Sequence, residues 1–234
     1  MGYSLLMQGK VEQAQKYYQK TLDLDPDNEA ALNNLANILS GQGRTKEAFK
    51  YLLYATKLYP DSAAGWINLA SIYEDKNDID EGTKCYNKAK TLDPGNPLLW
   101  HNSGRMLRRQ RKFKEAVSDY NQSLKLRPHN IDTLYDKAIA QMNLSEFDQA
   151  DSCFDEILKI DPFHVGAIGD KGVVQSEKGN YKLAITFFDE ALKIEPKNIR
   201  IIRNKGLALE MIGDKASANE LYNQAMALEL GTLP

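Results

Sequence analysis

Residues 63–96 read AAGWINLASIYEDKNDIDEGTKCYNKAKTLDPGN. The first half sets Trp66, Leu69, Ala70 and Tyr73 at i, i+3, i+4 and i+7, one face of an α-helix running from Ala63 to about Lys76. Asn77-Asp78 reads as a turn. The second half turns Gly82, Tyr86 and Ala89 inward from a helix of about Ile79 to Leu92. Pro94 then stops that helix, because its ring cannot continue the hydrogen-bond ladder. The stretch is therefore a hairpin of two amphipathic helices.

Working outward, the same pattern recurs along the whole chain. Pro26, Pro60, Pro94, Pro128, Pro162 and Pro196 are spaced by 34 residues each time. Twelve residues before each proline is a small residue: Ala14, Ala48, Gly82, Ala116, Ala150 and Ala184, with Ala218 in the last unit. Eight residues before it is a large one: Tyr18, Leu52, Tyr86, Tyr120, Phe154 and Phe188, with Tyr222 last. A small residue lets two helices approach closely, and the large residue one turn later fills the same face. Glycine recurs between the two helices, at Gly9, Gly43, Gly179 and Gly213, where it suits a helix C-cap. Nothing reads as a strand.

Composition narrows the function. The 234 residues carry 30 Lys+Arg against 32 Asp+Glu, a net charge of −2. That excludes an overall polycation coating nucleic acid and a polyacidic tail. Two cysteines are too few for a disulfide framework, and Cys85 and Cys153 share one column two repeats apart. The N-terminus lacks a positive n-region and a long apolar core, and Leu6 occupies the position where a myristoylation signal needs Ser or Thr. No stretch approaches the roughly 20 apolar residues that span a bilayer. These features predict a soluble, cytoplasmic protein without membrane insertion.

The residues Trp66, Leu69, Ala70, Tyr73, Gly82, Tyr86, Ala89 and Pro94, and in the next unit Trp100, Ser103, Gly104, Leu107, Ala116, Tyr120, Ser123 and Pro128, resemble the tetratricopeptide repeat pattern. The resemblance spans the chain as units 29–62, 63–96, 97–130, 131–164, 165–198 and 199–232, with a partial unit at 1–28. It implies a single all-α domain over 1–234, a right-handed α-solenoid of antiparallel helix pairs, with first helices lining a concave groove and Trp66 and Trp100 in the core. Lys137, Lys171 and Lys205 replace an apolar consensus residue in the last three units, a shared variant of the fold. Met1 enters midway through a first helix and five residues follow the last repeat helix. That points to a piece of a longer protein, or to end surfaces that pair with other copies.

Catalytic chemistry is hard to assemble from these residues. His129 and His164 sit in the loops just after Pro128 and Pro162 and read as turn residues. His101 is expected on the groove, with no Cys, Asp or Glu three or four residues on to make a metal pair. Gly41-Gln42-Gly43-Arg44-Thr45-Lys46 lacks phosphate-loop spacing and follows a helix. The expectation is no catalysis, no metal and no cofactor.

The binding signal is expected at the sixth position of each first helix, which the resemblance places on the groove: Asn34, Asn68, Asn102, Asp136, Asp170 and Asn204. Asparagine is a poor helix former, so its recurrence needs a reason. A ladder of amides could hold the backbone of an extended peptide, or instead tie neighbouring helices together. Segment 97–130 carries eight basic against two acidic residues, net +6, and segment 131–164 two against eight, net −6. Arg105, Arg108 and Arg109 share one helix face and could grip a carboxylate, or simply pair with the acidic neighbour. The carboxylate clamp of chaperone-binding members is matched only at its asparagines: its positions hold Asn33, Asn37, Asn68, Leu98 and Asn102, and the basic members are missing. Nucleic acid is excluded as a partner, because the basic patch is one repeat long and flanked by acid. The sequence thus predicts a non-catalytic scaffold binding a protein or extended peptide. The alternatives are the substrate-recruiting repeats of a larger enzyme such as a protein glycosyltransferase, or a self-assembling array.

Overall fold

The computed structural model describes residues 1–231, and every regular element among them is an α-helix. In chain order they are α1 (Gly2–Met7), α2 (Val11–Leu24), α3 (Glu29–Gly41), α4 (Thr45–Leu58), α5 (Ala63–Asp75), α6 (Ile79–Leu92) and α7 (Pro97–Arg109). There follow α8 (Phe113–Leu126), α9 (Ile131–Asn143), α10 (Phe147–Ile160), α11 (Val165–Glu177), α12 (Tyr181–Ile194), α13 (Ile199–Met211) and α14 (Lys215–Glu229). The close of the unit expected at 199–232 lies outside the described residues. Two compact units arise, Met1–Lys112 and Phe113–Pro234. In each, consecutive helices pack side by side into a solenoid of helix pairs.

The loops that begin the first helices are set by caps. Asn28, Asn130 and Asn198 each accept the backbone N–H three residues on, at 3.0, 2.8 and 3.2 Å. These bonds satisfy donors that a helix start leaves orphaned. His164 stands in the same column and does the same work, its Nδ1 accepting from the Ala167 N–H at 3.0 Å. The expected turn residue is thus a helix cap.

The turns inside each hairpin obey a stricter rule than the four glycines suggested. Gly9, Gly43, Asn77, Arg111, Ser145, Gly179 and Gly213 are 34 residues apart, and all have positive φ, from 57° at Asn77 to 90° at Gly213. In each turn the next residue's N–H reaches back five residues, as in Glu146 to the Gln141 carbonyl at 2.9 Å and Asn180 to Gln175 at 2.8 Å. That bond closes the helix end only if the residue before it is left-handed. A Cβ at any of the four glycines would meet open space, so the backbone, not crowding, selects glycine there. Ser145 carries a side chain in that conformation at φ 60°. Ser145→Gly should therefore stabilise the second unit by about 1 kcal/mol, the cost of left-handed backbone for an L-residue less glycine's extra chain entropy. A urea midpoint shifted upward at unchanged slope would show it; an unchanged midpoint would contradict it.

The two proline-phased columns form the core. Ala14, Ala48, Ala116, Ala150 and Ala184 are completely buried, as are Leu52, Tyr86, Tyr120, Phe154 and Phe188. At Gly82, which stands in the alanine column, an added Cβ would lie 2.3 Å from the Met106 methyl. Aromatic rings press equally on glycines of the first helices: a Cβ on Gly172 would lie 2.5 Å from the Phe188 ring, and one on Gly206 2.6 Å from the Tyr222 ring. Trp66 and Trp100 depart from the core role expected of them. Both are half-buried, and their indole N–H groups donate to the carbonyls of Pro60 (2.9 Å) and Pro94 (2.8 Å). An indole needs a partner for its N–H, so the ring sits at the rim of the core and pins the preceding loop. Cys85 and Cys153 are buried free thiols, and burial pushes Cys85 up to about 11, away from reactivity.

The lysine variant also has a structural cause. Lys171, with 7% of its side chain exposed, donates to Asp151 and Asp155 of α10, each at 2.7 Å. Lys205 pairs with Asp189 of α12 at 2.6 Å. In both, a first helix is tied by charge to the second helix of the repeat before it.

Candidate ligand-binding face

Two members of the sixth-position column, Asn68 and Asp170, are tied between helices. Asn34 turns its amide onto its own helix, donating to the Ala30 carbonyl at 2.7 Å. Asn68 donates to the side-chain oxygen of Asn33 on α3 at 3.2 Å, and Asn33 is buried and donates to the Glu29 carbonyl. Asp170 is only 3% exposed and accepts from both the Tyr135 hydroxyl of α9 and the Arg200 guanidinium of α13. A carboxylate so enclosed and doubly bonded has no face left for a ligand, which corrects its assignment to the binding set. Burial, with Asp170 beside it, pushes the Tyr135 hydroxyl well above the usual tyrosine range. Twice, then, position six bonds position five of the repeat before it: Asn68 with Asn33, and Asp170 with Tyr135. Asn102 and Asp136 are half-buried on α7 and α9. Asn204 is half-buried and makes no side-chain hydrogen bond among the described residues; it lines a cavity.

The arginines are partly committed as well. Arg105 reaches Glu74 of α5 at 2.7 Å, and Arg109 reaches the same carboxylate at 3.3 Å and the Asn77 side chain at 2.7 Å. The acid they engage therefore lies on the first helix of the repeat before them. Both arginines remain about two-fifths exposed, so these pairs are screened and add little to stability. Arg108 is half-buried. His101, expected on the groove, is buried.

Position nine, three residues further along, is the more open column: Asn37, Ser71 and Leu207 are exposed and the rest half-buried. In the first unit it holds Asn37, Ser71 and Arg105; in the second, Ile139, Val173 and Leu207. Asn37 is exposed. Leu207 is 55% exposed although leucine gains from burial, and Met211, one turn on, is 61% exposed. Val173, Leu207 and Met211 line a cavity of about 350 Å³ with Ser176, Tyr181 and Asn204. This column was not singled out in the sequence. Its signal was there: one 34-residue register that changes from polar to aliphatic halfway along.

Three family models described as tetratricopeptide repeat match the sequence, over residues 1–62, 107–167, and twice at 63–96 and 166–198. The chain belongs to the tetratricopeptide repeat family. No curated protein matches it. Among solved structures, its tetratricopeptide fold is similar to that of YrrB, "a TPR protein with an unusual peptide-binding site", at 22% identity and a TM-score of 0.73, covering 80% of this chain and 97% of that one. PilW, described as a widely conserved type IV pilus biogenesis factor, gives 17% identity and a TM-score of 0.73, with 85% and 92% covered. MamA gives 20% identity and a TM-score of 0.65, with 71% and 91% covered. At these identities the likeness carries the repeat fold alone. No helix of the described residues is long and apolar enough to cross a membrane.

Proposed function

We propose that this tetratricopeptide repeat protein is a non-catalytic scaffold that holds a peptide or short segment of a partner protein along the face made by its first helices. The observation that carries the reading is the pair of exposed apolar side chains Leu207 and Met211 on α13, which line a cavity with Val173 of α11. Side chains of that kind are retained in the open where a partner covers them.

The reading is tested by placing a photo-cross-linking amino acid at position 207 on α13, or at position 183 on α12, in the native cellular background. Leu183 is also exposed, so the two sites differ in face rather than accessibility. A specific adduct at 207 and none at 183 is expected.

A further inference from the structure

We infer that the cavity between α11 and α13 recognises a partner segment carrying a large apolar side chain beside a lysine or arginine, an inference that rests on the binding reading above. The apolar half of the recognition is Val173, Leu207 and Met211 around about 350 Å³, within the roughly 300–1,000 Å³ typical of ligand pockets.

The basic half follows from which charges are left over. The cations of α11 and α13 each already face an anion. Arg200 is bound to Asp170, Arg203 to Glu229 at 2.7 Å, and Lys178 to Asp148. Glu177, exposed on the cavity wall, has no ion pair among the described residues. The uncompensated charge at this mouth is therefore negative, and a cationic side chain complements it. An acidic segment would meet the Glu177 carboxylate and no cation among the residues that line the cavity.

Two polar groups supply orientation. The Ser176 hydroxyl oxygen is buried without a hydrogen bond, and the Asn204 amide has no partner among the described residues. Both line the cavity, where an amide and a hydroxyl can each bond a peptide backbone. The ligand chemistry is thus an apolar anchor, an adjacent cation and a backbone within reach of Asn204.

The test is a random-sequence peptide library displayed on phage and selected against the full chain. Enriched peptides are then titrated by fluorescence anisotropy against wild type, Leu207→Ser and Glu177→Lys. Both residues are exposed, so neither variant should perturb folding, which circular dichroism checks. Enrichment of a leucine, methionine or phenylalanine next to lysine or arginine is expected. Each variant should weaken binding about tenfold, the factor that 1.4 kcal/mol represents. Changing the peptide's basic residue to glutamate should restore binding to Glu177→Lys. Enriched peptides that are acidic, or that bind both variants as well as wild type, overturn the pocket assignment while leaving a peptide-binding protein. A selection that enriches nothing overturns both.

Discussion

Phe188→Ala is expected to destabilise the second unit by about 3–5 kcal/mol, the range for truncating a fully buried phenylalanine. Phe188 has no exposed surface, and its ring occupies the space that a side chain on Gly172 would need. The ring thus fills the gap between α12 and α11, and alanine there leaves a void lined by atoms too constrained to collapse. The complementary change, Gly172→Ala, puts a methyl 2.5 Å from the ring and should cost about 1–3 kcal/mol through overpacking. The pair should not be additive. Gly172→Ala combined with Phe188→Leu should be less destabilised than the sum of its parts by about 1 kcal/mol or more, because the added methyl occupies space the smaller side chain vacates. Urea unfolding of the four proteins measures this. Strict additivity would show that the two side chains do not share one space.

The second large effect is expected at the buried ammonium. Removing both of its partners, in Asp151→Ala with Asp155→Ala, leaves Lys171 charged and enclosed, at about 3 kcal/mol. That is the low end of the range for such a loss, because Asp155 keeps 55% of its side chain exposed. Lys171→Met, which removes the charge and keeps the length, should stay within about 1 kcal/mol of wild type. The pH dependence has a definite sign. Burial pulls the Lys171 ammonium down, but its bonds to Asp151 and Asp155 outweigh burial and leave it above the ordinary lysine value. Its stabilisation is therefore complete below the unfolded lysine pKa of about 10.4 and lost as pH rises through the higher folded value. Wild type should lose stability on the alkaline side more steeply than Lys171→Met. Parallel curves would assign the lysine no electrostatic role.

The fold was legible in the sequence because its determinants are local. A helical period, a proline that ends it and a small residue one turn before a large one act within a single hairpin, and 34-residue recurrence repeats the message. The turn rule was half legible: four glycines announced it, while Asn77, Arg111 and Ser145 hid the same left-handed backbone behind side chains. The binding face was the least legible. Positions six and nine of one helix differ by only about 60° around its axis, three residues at 100° each. Which of them opens to solvent is decided by how neighbouring first helices pack. The periodic asparagine drew attention to position six, where Asn68 and Asp170 are spent on Asn33 and Tyr135. Lys171 and Lys205 were visible as a departure, but their partners lie 16 or 20 residues earlier, on another helix. That distance means something only once the stacking of a first helix on the preceding second helix is known.

The comparison of photo-cross-linking at positions 207 and 183 tests the central claim most directly, with mass spectrometry of the adducts as the readout. A partner that engages the first-helix face should be captured as a defined adduct at 207, mapped to one segment of one protein and lost when a selected peptide is added in excess. The same protein captured at 183 with equal yield, or no specific adduct at 207, would contradict the assignment of the first-helix face as the site where this repeat protein holds its partner.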